Sequence, residues 1–89
     1  MMFLDRAWSY VRQLYRGWVS NGAVVDPSWS VGEMYRLYVE YLTAVSRAGY
    51  RNPYDIVEEV FDMADPSETI WTFDSWAREY LKTNYGVPI

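Results

Sequence analysis

Residues 29–50 read WSVGEMYRLYVEYLTAVSRAGY, and both ends of a helix are written in them. Ser30 and Glu33 stand three apart, the spacing of a capping box. The serine hydroxyl can accept from the Glu33 amide while the Glu33 carboxylate reaches back to the Ser30 amide. Trp29 before the cap and Met34 after it have the spacing of a hydrophobic staple. Val31, Met34, Tyr35, Tyr38, Tyr41, Leu42, Val45 and Ala48 then recur at three- and four-residue steps, which aligns them on one helical face. Gly49 supplies the left-handed residue that ends the helix, with Tyr50 placed to fold back onto Val45 in a Schellman arrangement. The outward residues Glu33, Arg36, Glu40 and Arg47 are mixed in sign, and Arg36 can pair with either glutamate neighbour. This is the pattern of a central, most buried helix that acts as scaffold.

Working outward, residues 3–19 repeat the helical period. Leu4, Ala7, Trp8, Val11, Leu14, Tyr15 and Trp18 face one way; Asp5, Arg6, Ser9, Arg12, Gln13 and Arg16 face the other. Asn21-Gly22 ends this segment. Ala23 to Val25 is too short for a helix and reads as an extended segment crossing the core, closed by Asp26-Pro27. After the central helix, Asn52 is placed to cap a third helix with Pro53 at its first position, where a missing amide costs nothing. Its inward residues are Ile56, Val57, Val60, Phe61 and Ala64, and Asp65-Pro66 terminates it. Residues 67–71 read as a connector and Thr72 as the cap of a fourth helix, with Trp71 and Trp76 repeating the staple spacing. Asp74 and Arg78 form a helical pair in the favourable order, and Gly86 with Pro88 stops the helix, leaving Val87 and Ile89 as a tail. The expected fold is all-α, one domain over residues 1–89, with four helices at about 3–19, 31–48, 53–64 and 73–84.

Composition narrows the chemistry. Eighty-nine residues close one core. No apolar run of about 18 residues is present to span a membrane. The charges at Asp5 and Arg6 interrupt the place where a secretory signal needs its apolar stretch, and the chain has no cysteine; both fit a cytoplasmic protein. Without histidine or cysteine, the commonest general base, the commonest zinc ligands and the thiol nucleophiles are missing. Asp55, Glu58, Glu59 and Asp62 could in principle hold a hard cation, but no calcium-loop spacing or glycine-bearing acidic loop accompanies them. Lys82 is the sole lysine, and neither a nucleophile elbow nor a glycine-rich phosphate loop occurs. No enzyme activity and no cofactor are expected.

Charge is unevenly spread. Residues 1–52 carry six arginines against four acids, and residues 53–89 carry Arg78 and Lys82 against eight acids, so a +2 part precedes a −6 part. Aromatic residues make up 19% of the chain, with five Trp and nine Tyr, more than one small core readily hides. The expected function is a non-enzymatic protein-interaction module, an inhibitor or adaptor acting by occupancy; phage-type inhibitors of nucleic-acid machinery are an analogous class. Its contact surface would be Tyr54, Asp55, Glu58, Glu59, Asp62, Asp65 and Glu68, meeting a partner with a basic surface. Two alternatives stand beside it. Arg6, Arg12 and Arg16 on the first helix could bind nucleic acid, against repulsion from the acidic third helix. The aromatic surplus could instead be buried in a homo-oligomer.

Overall fold

Four α-helices make up the regular structure: α1 Met2–Ser20, α2 Val31–Arg47, α3 Pro53–Asp62 and α4 Ile70–Tyr85. The computed structural model describes residues 2–89, with side chains from Asp5 onward, and no strand occurs among the described residues. Leu4, read as part of the first stripe, lies outside the described side chains. The chain is thus a single-domain all-α bundle. Its radius of gyration is 12.6 Å, close to the value of about 12 Å for a compact domain of this length.

The central helix forms as its sequence dictates. Ser30 holds an extended backbone, and its hydroxyl accepts from the Glu33 amide at 3.2 Å. The return bond of the capping box is replaced. The Glu33 carboxylate goes to Arg36 at 3.0 Å, and Arg36 also reaches Glu40 at 3.1 Å, because a charge-assisted contact outcompetes one to a neutral amide. Trp29 and Met34 are both buried, and Met34 is joined in the core by Leu37, Tyr38, Tyr41, Leu42 and Val45. Leu37 lies outside the expected stripe yet is buried, while Ala48, placed within the stripe, is exposed. The buried face is wider than one seam because α2 has three neighbours: Tyr35 meets Trp8 of α1, Tyr38 meets Phe61 of α3, and Tyr41 meets Phe73 of α4.

Gly49, at φ +96°, ends the helix in the left-handed region that glycine adopts without steric cost. Tyr50 does not fold back onto Val45. Its hydroxyl donates to the Tyr85 carbonyl at 2.5 Å and its ring meets Tyr85 edge-on, which ties the end of α2 to the end of α4. At the other end Trp29 packs edge-on against Trp18, with ring centres 5.0 Å apart, and lies 5.4 Å from Phe73. These paired contacts make α1 antiparallel to α2 and α4 run alongside α2 in the same direction.

The remaining helices depart from expectation where neighbours intervene. Among the described side chains of α1, Ala7 and Val11 are buried and Tyr10 is half-buried beside them, while Trp8 is exposed. Tyr10 packs against Tyr38 of α2 and Phe61 of α3, so it is an interface residue although it lies off the predicted stripe. Residues 23–25 do not cross the core: Val24 is 75% exposed, and Asp26 anchors the loop by donating its amide to the Pro66 carbonyl at 2.8 Å. α3 begins at Pro53 as expected, but Asn52 makes no side-chain cap, and the helix stops at Asp62.

α4 starts three residues earlier than its sequence suggests. Thr69, not Thr72, is the cap, its hydroxyl accepting from the Thr72 amide at 3.1 Å. The Ile70 amide, one of the first-turn donors that a helix leaves without an internal partner, is accepted by the Ser28 hydroxyl at 2.8 Å. Trp71 therefore sits inside the first turn at 70% exposure and makes no staple with Trp76. At the far end Gly86 takes φ +63° and the tail docks, with Val87 fully buried.

Candidate interaction surface

The acidic residues singled out from the sequence are gathered on α3 and the turn after it, and most of them face donors of this same chain. Glu58 accepts from the Tyr38 hydroxyl at 2.6 Å and from Arg6 at 2.9 Å; Arg6 also reaches Asp55 at 3.2 Å. The Tyr10 hydroxyl lies against both the Asp62 carboxylate and the Glu58 carbonyl. Glu59 accepts from Tyr80 at 2.8 Å and from Tyr85 at 3.0 Å. All four carboxylates of α3 are thus acceptors for tyrosine or arginine. Tyr54 is half-buried, with the Arg6 guanidinium 4.7 Å above its ring, a cation–π contact.

This arrangement has an electrostatic signature. Burial, reinforced by the hydrogen bond to Asp62, raises the Tyr10 phenol above its ordinary value. Burial and the bond to Glu58 do the same for Tyr38. Tyr41 is raised by burial and by its 2.5 Å bond to Asp74, a carboxylate that Arg78 also holds at 2.9 Å. The Asp74–Arg78 pair expected from the spacing is therefore present, and Arg78 extends it to Glu40 at 2.6 Å. Arg6 and Tyr10 bind the basic first helix to the acidic third, and Tyr38 binds α2 to the same carboxylates, a juxtaposition that the separate helical patterns do not reveal.

Two of the predicted acids stand apart from that seam. Asp65 accepts from both the amide and the hydroxyl of Ser67, which organises the turn after α3 and lowers its carboxyl below the ordinary value. The Glu68 side chain makes no hydrogen bond among the described residues, although its backbone carbonyl accepts from the Trp29 indole at 2.8 Å. Asp65 and Glu68 border an open groove of about 200 Å³ lined also by Met63, Ala64, Thr72, Phe73 and Trp76. Met63 is 46% exposed and Trp76 39% exposed. The aromatic count and the acidic run were both visible in the sequence; that they share this groove was not.

On the opposite charge, Arg6 is engaged by α3, while Arg12 and Arg16 are exposed and have no ion pair among the described residues. No group of three or more side chains suited to a metal ion is assembled among the described residues, and no helix is long and apolar enough to cross a membrane. Comparison with family models, with curated proteins and with solved structures finds no match to this chain.

Proposed function

We propose that this protein is a small non-enzymatic interaction module, an inhibitor or adaptor that acts by occupying a partner protein with a basic surface. The observation that supports it most is the exposure of Met63, Trp71 and Trp76 on the half of the chain that carries eight acids against two cations. Large apolar side chains left in water beside fixed negative charge favour association: apolar burial supplies affinity, and charge supplies orientation and encounter rate. The internal bonds of Asp55, Glu58, Glu59 and Asp62 hold the body rigid, so that little ordering remains to be lost on binding. The nucleic-acid alternative retains Arg12 and Arg16, two cations against a chain whose net charge is −4.

Partner capture on the immobilised chain, followed by mass spectrometry at low and high salt, tests the proposal. Reversal of Glu58 or Glu59 would break internal bonds and confuse folding with binding, so Glu68→Lys combined with Glu79→Lys is the informative variant: both glutamates are exposed, Glu79 on α4 one turn beyond Trp76, and neither side chain makes a hydrogen bond among the described residues. The expected partner has a basic surface and is lost both at high salt and with that variant. A partner retained under both conditions would sink the acidic-surface reading, and specific, salt-steep retention on heparin or DNA would replace it with the nucleic-acid one.

A further inference from the structure

The groove between the end of α3 and the first half of α4 has the build of a receptor for one particular kind of segment. Its walls are Met63 and Trp76, its floor is the buried Phe73, and its rim carries Asp65 and Glu68. No lysine or arginine lines it. Its volume, about 200 Å³, lies below the range of roughly 300–1,000 Å³ typical of small-molecule sites, which suits a side-chain anchor better than a whole ligand. Methionine adapts to the shape of what it contacts, and a tryptophan wall gives a large contact area at low entropic cost.

The mouth is set firmly. Trp76 lies 5.0 Å from Tyr80 and 6.2 Å from Phe73, centre to centre, so its ring is held by neighbours on its own helix. The turn bearing the carboxylates is fixed by the Asp65–Ser67 bonds and by the Trp29 indole on the Glu68 carbonyl. We propose that this groove binds a short segment of a basic partner protein, which seats one aromatic or large aliphatic side chain between Met63 and Trp76 and sets flanking Lys or Arg against Asp65 and Glu68. Charge complementarity selects that occupant over a symmetric pairing with a second copy, in which the same two acidic rims would meet. The inference rests on the interaction-module reading and narrows it to one surface and one partner chemistry.

Selection of a random peptide display library on the full chain, followed by titration of the best synthetic peptide, provides the test. Enriched sequences should pair one aromatic or large aliphatic residue with adjacent Lys or Arg. The peptide should weaken about tenfold or more against Trp76→Ala and against Glu68→Lys, and weaken as salt rises. Glu68→Lys keeps the test valid if Trp76→Ala fails to fold, because the Glu68 side chain makes no hydrogen bond among the described residues. An acidic or uncharged consensus, binding indifferent to Glu68→Lys, or no enrichment would overturn the groove. Peptides that bind at the Trp71 flank of α4 would also overturn it while leaving the interaction-module reading standing; that reading fails separately, on the partner capture.

Discussion

α2 and α4 meet through long side chains and are built from similar sequence devices, yet they use their aromatic residues in opposite ways. In α2 the leading Trp29 is 3% exposed, and Tyr38 and Tyr41 are fully buried with their hydroxyls on Glu58 and Asp74. In α4 Trp71, which falls after the Thr69 cap where Trp29 precedes its own, stands in solvent, Trp76 is exposed and Tyr80 is only half-buried. The difference lies in the number of neighbours. Three helices pack on α2, so nearly every ring it carries is covered; α4 lies at the edge, and among the described residues nothing covers its Trp71 flank. Staple spacing alone does not bury a tryptophan, because burial needs a partner on the far side.

The sharpest way to break this contrast is truncation of Trp29. Its ring contacts Trp18 and Phe73, and its indole holds the Glu68 carbonyl. Trp29→Ala should therefore cost about 3–5 kcal/mol in chemical denaturation; a loss below about 1 kcal/mol would show that the two helix starts are equivalent.

Alkaline titration is expected to have the next largest effect, and it probes α2 directly. Tyr10, Tyr38 and Tyr41 have folded pKa values raised above the unfolded value by burial and by carboxylate acceptors. Their contribution to stability is complete below about pH 10, where the unfolded phenols are protonated, and is lost as pH rises beyond it. Denaturation midpoints should fall above that pH, with these phenols ionising only as helix signal disappears, and Tyr41→Phe should flatten the fall. Free ionisation of all nine tyrosines near pH 10 with helicity intact would refute this.

The smallest effects belong to the start of α4. Thr69→Ala should cost about 1 kcal/mol as a lost cap, whereas Trp71→Ala should stay within about 0.5 kcal/mol. Equal costs in thermal or denaturant unfolding would place the helix start at Thr72 after all.

Much of this was legible in the chain. The cap at Ser30, the stops at Gly49 and Gly86, Pro53 at a first helical position and the pairs of Arg36 and Arg78 are all local, set by residues within a turn of one another. Tyr10 and Leu37 were misplaced because a stripe drawn for one neighbour underestimates a helix with several. The groove was hidden for a similar reason. Met63 and Trp76 are thirteen positions apart, one in the turn that follows α3 and the other within α4, and no helical periodicity relates them.

The sequence by itself determined the fold class, the number of helices, the central place of α2 and the division into a basic first part and an acidic second part. Helical period, caps and breakers act over a few residues, so they can be read without neighbours. Only the tertiary structure decided that Arg6 and Tyr10 would meet the carboxylates of α3 about 50 positions away. It likewise decided that α4 would begin at Ile70, because the hydroxyl that accepts the Ile70 amide comes from Ser28, in the loop before α2. A donor without a partner in its own helix is satisfied by whatever the fold brings near it, and that proximity is a property of the packed chain.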